Sequence, residues 1–227
     1  MEATKSMIID SIFENLDIKN LPSSCTSNTI KIADFGCSVG PNTFLAIQCI
    51  IEAIHLKLEK TLHDDQNPKK ALEFQVFFND QNDNDFNTLF TTLPTPKDYF
   101  AAGVPGSFHS RIFPTATLHI AHSSCALNWL SRVPKAVVDK KSPIWNKGRV
   151  HYTGNVKVLE AYSDQFKRDM EVFFKARAQE IVGGGLMLLL VPGCEDGVLP
   201  CDTLVSMQFE LFGSCLMDMV KMVRTKK

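Results

Sequence analysis

Three short stretches carry residues whose types and spacing suit chemistry on a small ligand. In "IADFGCSVGPN", Asp34, Gly36 and Gly40 put a carboxylate and two glycines between an apolar run and the start of a helical pattern. Glycine lets the main chain turn and approach a ligand without a Cβ penalty. The amides that open the following helix favour an anionic group, whereas Asp34 suits a cation. The spacing is G-x-x-x-G and not the dinucleotide G-x-G-x-x-G, which speaks against a pyrophosphate. A ligand end with both an amino group and a carboxylate fits, and the methionine end of S-adenosylmethionine has both. The same glycines also serve a plain strand-to-helix turn. In "FQVFFND", Asp80 closes an apolar run, where a carboxylate can accept from both hydroxyls of a ribose; it equally suits a helix N-cap. In "GVPGSFHSRIFP", Ser107 and Phe108 stand where a ring could stack on adenine, although Phe108 by itself is as well read as a core residue.

No Ser/His/Asp or Cys/His arrangement accompanies them. The histidines lack metal-ligand spacing; His122, at a strand end, reads as structural, and Cys37 and Cys125 as small pocket-lining residues.

These residues need elements to position them. "TIKIADF" (29–35), "LEFQVFF" (72–78), "DYFAAG" (98–103), "TLHIAH" (117–122) and "LMLLLVPG" (186–193) read as strands. A helix over 42–60 carries Phe44, Ile47, Ile51, Ile54 and Leu58 on one face. The polar "TLHDDQNPKK" follows it as a loop, and 86–93 reads as a short helix. The longest helix, 156–182, aligns Val156, Leu159, Tyr162, Phe166, Met170 and Phe173, and Gly183 to Gly185 end it as C′ glycines do. A last amphipathic helix spans about 204–223. Alternating apolar strands and helices imply an α/β fold with a doubly wound parallel sheet. Residues 28–195 form its core, 131–155 a long loop of functional length, and 196–227 a C-terminal region with that last helix.

The bulk composition excludes other classes. Of 227 residues 44% are hydrophobic and 22% charged, with net charge −1, so neither a nucleic-acid footprint nor a disordered chain is expected. Seven cysteines without a C-x-x-C pair fit reduced thiols. No signal peptide opens the chain and the longest apolar run, 186–191, is too short to span a bilayer. A soluble cytoplasmic protein that binds neither nucleic acid nor membrane is expected.

"IADFGCSVGPNT", "FFNDQNDNDFNTLF", "GVPGSFHSRIFP", "AHSSCALNWLSRVP" and "NKG" ahead of a long helix resemble, in order, the motifs of the SABATH family of plant S-adenosylmethionine-dependent methyltransferases. Members methylate small carboxylic acids or xanthine nitrogens on a Rossmann-like, class I methyltransferase sheet. The resemblance runs from about Ile30 to the C-terminal helix. It implies cofactor contacts at Asp34, Gly36, Cys37, Gly40 and Asn42, a ribose contact at Asp80 with Gln81 beside it, and an adenine-side pair at Ser107 and Phe108. It implies an acceptor pocket with Trp129, with Asn128 where His or Met is common and Cys125 where Tyr is common. Asn146 resembles one ligand of a magnesium site, and residues 196–227 the start of a helical cap. Against the family's pattern the chain begins downstream of an S-Y-x-x-N-S-like segment and lacks the last strands and most of the cap, so a chain shortened at both ends is expected. Its "LMLLLV" strand would then be an open edge, through which a homodimer or looser association could form.

The resemblance implies methyl transfer to a carboxylate. With a pKa of roughly 4 such an acceptor is already ionised at neutral pH, so no general base is required. Holding acceptor, methyl carbon and sulfur in line can supply roughly 7–11 kcal/mol. The indole N–H of Trp129 would donate to the acceptor, with Asn128 as a second donor. A non-catalytic remnant that keeps cofactor binding and pairs with a full-length relative is the competing reading. A nicotinamide oxidoreductase is disfavoured by the glycine spacing.

Overall fold

The strand β1 (Thr29–Phe35) organises the sheet because both of its faces are buried. Its alternating side chains send Ile30 and Ile32 into one apolar cluster, and Ala33 and Phe35 into another. The computed structural model describes residues 2–17, 28–61, 72–147, 155–198 and 202–224. After a first helix α1 (Glu2–Asn15) and β1 come α2 (Pro41–Thr61), β2 (Glu73–Asp80), α3 (Phe86–Thr91), β3 (Phe100–Pro105), β4 (Leu118–Ser124), α4 (Lys135–Val138), α5 (Val156–Glu180), β5 (Ile181–Leu190) and α6 (Leu204–Arg224). The five strands are all parallel in the order β3-β2-β1-β4-β5. The doubly wound sheet expected from the sequence is therefore present, with its topological switch at β1 and β4, where such sheets open a ligand crevice.

The chain divides into two units. Residues 1–127 with 170–191 form the sheet-bearing unit, and residues 128–169 with 192–227 form the second. In the sheet-bearing unit, α2 buries Phe44, Ile47, Ile50, Ile51 and Ile54 against Phe74, Val76 and Phe78 of β2. The helix α1, which periodicity did not reveal, buries Ile8, Ile12 and Leu16 in the same cluster. Its last turn is held by Lys57, whose Nζ donates to the carbonyls of Ile12 at 3.0 Å and Phe13 at 2.8 Å, and also to that of Leu16. An ammonium there satisfies carbonyls that a helix end leaves without partners.

Three expectations need correction. The glycines 183–185 do not end α5 but lie inside β5, which begins at Ile181 directly after Glu180. A Cβ on Gly185 would lie 2.8 Å from the carbonyl oxygen of His119, so close approach to β4 is what requires glycine there. Of the apolar stripe expected for α5, Phe173 is buried and Met170 packs partly against the same cluster, but the buried face is largely polar. It runs through Val158, Gln165, Asp169, Phe173, Ala176, Arg177 and Glu180, whereas Val156 is exposed. Part of the expected 131–155 loop is ordered by α4. The loop 62–70, residues 148–154 and the cysteines Cys25 and Cys201 lie outside the described residues.

In the second unit, Asp169 accepts from the amide and hydroxyl of Ser131 at 2.9 and 2.7 Å and from Gln165 at 2.8 Å, which ties α5 to the loop ahead of α4. The helix α6 exposes Leu204, Leu211, Phe212 and Val223 among many apolar residues. No helix of the described residues is long and apolar enough to cross a membrane.

His119 of β4 is buried and its Nδ1 accepts the Lys31 amide at 3.0 Å. Desolvation, and secondarily the charge of Lys31, lowers its pKa below the ordinary 6.5. The unfolded chain then binds the proton more readily than the fold does. The neutral form's contribution is complete above about pH 6.5 and is lost as pH falls through the folded value. The thermal midpoint should therefore decline on acidification below about pH 6.5, and His119→Asn should show a shallower decline. Parallel pH profiles for the two proteins would exclude His119 as the source.

Candidate functional site

The carboxyl ends of β1, β2 and β3 converge on Asn79 and Asp80. The carbonyl of Asn79 accepts the amides of Gly36 at 2.8 Å and Cys37 at 3.0 Å, which folds the loop after β1 over the end of β2. The Asn79 side chain donates to the carbonyls of Val104 at 2.7 Å and Gly106 at 2.9 Å, and the Asp80 carbonyl accepts the Gly106 amide at 2.8 Å. One dipeptide thus ties three strand-end loops together. The Asp80 carboxylate accepts the Ser38 amide through Oδ2 and the Gln81 amide through Oδ1, each at 2.8 Å. A carboxylate has roughly four lone-pair sites, so it can accept further donors. The N-cap role open to Asp80 belongs instead to Asp85, which accepts the Thr88 amide at 3.0 Å at the start of α3.

The first loop is bent by Gly36, at φ +81°, and a Cβ there would lie 2.1 Å from the Cβ of Ala126. Nothing lies within 4 Å of a Cβ built on Gly40, so Gly40 faces open space. Beneath the loop, parallel pairing sets Asp34 beside His122 in register. Asp34 is 3% exposed, and its oxygens are taken by His122 Nδ1 at 2.7 Å and by the hydroxyl of Thr43 in the first turn of α2. Asp34 braces the loop from below. Its buried, doubly engaged carboxylate is not laid open to a ligand cation in the way the sequence suggested. His122 has the structural partner expected of it.

Cys37 is buried, and desolvation, with the charges of Asp34 and Asp80, drives its thiol far above the ordinary range. It stays protonated, as a pocket-lining residue would and a nucleophile would not. Asn42 is exposed at the start of α2 and lines a cavity of about 610 Å³ with Lys5, Cys49, His122, Ser124 and Leu190. Ser107 is exposed, while Phe108 is half-buried with its ring centroid 6.3 Å from that of Phe173, so it belongs to the rim of the core as well as to the loop. Cys125 is exposed at φ 54° with its amide on the Leu190 carbonyl at 2.8 Å.

In the second unit Asn128 is exposed and Trp129 is 73% exposed, so its indole is not a core residue. Asn146 is buried and its main-chain N–H donates to the carbonyl of Val137 at 2.9 Å. Among the described residues no three His, Cys, Asp or Glu side chains stand together as metal ligands.

Sequence reasoning passed over Asn79, Thr43, Arg177 and Glu180. Asn79 was visible as a polar residue closing an apolar strand next to Asp80. Nothing local marks Arg177 or Glu180, which act on a loop nearly seventy residues away. Together the loops offer a carboxylate, exposed main chain and a half-buried aromatic edge at the sheet's switch point. That set suits a nucleoside-bearing ligand.

The whole chain, residues 1–227, matches the family model described as SAM dependent carboxyl methyltransferase. It is 49% identical to a loganic acid O-methyltransferase of Catharanthus roseus over 97% of this chain and 58% of that protein. It is 46% identical to a farnesoic acid carboxyl-O-methyltransferase of Arabidopsis thaliana over 94% of this chain and 59% of the relative. Its structure superimposes with a TM-score of 0.88, at 50% identity, on a loganic acid methyltransferase solved with SAH, covering 97% of this chain and 61% of that one. The chain thus spans about three-fifths of the length of the relatives it matches.

Proposed function

We propose a function from one premise: the chain belongs to the family of S-adenosylmethionine-dependent carboxyl methyltransferases, the SABATH group that its motifs resemble. It takes S-adenosylmethionine as methyl donor and a small organic acid or xanthine-like ring as acceptor. The observation that carries this reading is the convergence of three strand-end loops on Asn79 and Asp80, next to a glycine loop that has no room for a Cβ at Gly36. The acceptor class is supported by relatives whose names include loganic acid, farnesoic acid and paraxanthine.

When bound, S-adenosylmethionine supplies an electrophilic methyl carbon on a sulfonium. The parts proposed for the residues are these. Asp80, with Gln81 beside it, accepts from the ribose hydroxyls. Ser107 and the Phe108 edge receive the adenine. The main chain from Gly36 to Gly40, with Cys37 and Asn42, receives the methionine end, and Asp34 contributes by fixing Thr43 and His122 beneath that loop. By the family resemblance Trp129, Asn128 and Cys125 are the acceptor-binding residues, with Trp129 and Asn128 as donors to the carboxylate. An acceptor acid is already ionised at neutral pH, so the absence of a base from these residues is consistent with transfer by positioning and exclusion of water. Cytoplasmic location and homodimerisation through the β5 edge belong to the same proposal; a single monomeric species in sedimentation would remove the dimer.

Calorimetry with S-adenosylhomocysteine and with NAD, followed by labelled-methyl assays on loganic acid, farnesoic acid and paraxanthine, tests the reading. Binding of S-adenosylhomocysteine but not NAD, with label in one acceptor, is expected. Binding without transfer to any acceptor would favour a non-catalytic cofactor binder, and preference for NAD would overturn the reading.

A further inference from the structure

The side chains of Arg177 and Glu180, in the last turn of α5, are almost entirely buried and are spent on one loop. Arg177 donates through Nη1 to the carbonyl of Phe108 and through Nη2 to that of Ser110, each at 2.9 Å. Its Nε donates to Glu180 Oε2 at 2.7 Å. The other oxygen of Glu180 accepts the amides of Ile112 at 2.5 Å and Phe113 at 2.9 Å. The guanidinium lies over the rings of Phe35 at 4.2 Å and Phe173 at 4.9 Å, which hold its plane. Arg177 is 1% exposed and Glu180 0%. Two ionisable side chains thus grip four main-chain groups of residues 108–113. The Phe113 amide is buried and the other three groups are partly buried, so the ionisable pair supplies partners where water has little access.

We infer that Arg177 and Glu180 are positioning residues for adenine recognition, acting through the main chain of residues 108–113 to hold Ser107 and Phe108 ready before ligand arrives. This rests on the reading of Ser107 and Phe108 as the adenine-side pair. Arginine suits the task because its planar fork presents several donors in fixed directions. Charge-assisted bonds to main-chain groups fix the loop without using the side chains that face the ligand. A lysine at 177 keeps the charge but cannot span both carbonyls and Glu180 in one plane.

Three probes separate adenine positioning from general damage: S-adenosylhomocysteine, methylthioadenosine, which keeps the base but lacks the amino-acid end, and S-ribosylhomocysteine, which lacks the base. In Arg177→Lys and in Glu180→Gln, affinity for the first two is expected to fall about tenfold, and affinity for the third to stay within about twofold of wild type. Equal losses for all three probes, or no loss, would overturn the inference. If neither variant folds, hydrogen exchange on the unaltered protein decides. The amides of Ile112 and Phe113 are expected to be slow without ligand, and fast exchange slowed only by S-adenosylhomocysteine would show that the ligand orders the loop. Failure of the unaltered protein to bind S-adenosylhomocysteine would count against the proposed function, while slow exchange at those amides would still establish the pre-formed loop.

Discussion

Replacing Gly36 with alanine is expected to destabilise the sheet-bearing unit by about 2–5 kcal/mol and to abolish measurable S-adenosylhomocysteine binding. Two costs act together. The residue sits at φ +81°, where an L side chain costs roughly 1–2 kcal/mol. The added Cβ would lie 2.1 Å from that of buried Ala126, and overpacking of this kind costs roughly 1–3 kcal/mol. Relief requires the loop to lift, which breaks the Gly36 and Cys37 amide bonds to Asn79. Gly40→Ala is the control. Its Cβ meets nothing within 4 Å, so stability should change by no more than about 0.5 kcal/mol. If the methionine end lies there, affinity should still drop. Urea titrations of both variants give the comparison, and a Gly36→Ala protein as stable as the parent would contradict the loop geometry.

Asp80→Ala should weaken S-adenosylhomocysteine binding by roughly 10- to 100-fold, since bonds to a charged acceptor contribute about 1.5–3 kcal/mol and 1.4 kcal/mol is tenfold. Part of the loss is direct, through the ribose hydroxyls. Part comes from the Ser38 amide, which holds the glycine loop to the end of β2 at 2.8 Å and would lose its acceptor. Asp80→Asn keeps one acceptor oxygen but turns an amide group toward the second N–H donor, so its loss should be smaller than that of alanine and still measurable. Calorimetry on the folded variants reads both, and unchanged affinity in Asp80→Ala would remove Asp80 from the ribose site.

The strands, their parallel class and the glycine and acidic residues that close them were legible in the sequence. Each depends on a local rule: a short, fully apolar run for a buried parallel strand, glycine where a chain must turn tightly, an acidic residue at a strand end. Those rules act within a few residues, so "TIKIADF", "FFND" and "GVPGSF" disclose themselves without their partners. Tertiary structure alone decided what surrounds these residues. Asp34 looked free to meet a cation until register on β4 set His122 beside it and α2 brought Thr43 against it. The α5 stripe was read only in part, at Phe173, because periodicity counts apolar residues, whereas the buried face also carries Gln165, Asp169, Arg177 and Glu180. A buried charged or polar group is tolerated only where partners satisfy it. For Arg177 and Glu180 those partners are main-chain atoms of residues 108–113, which every sequence has and no sequence displays.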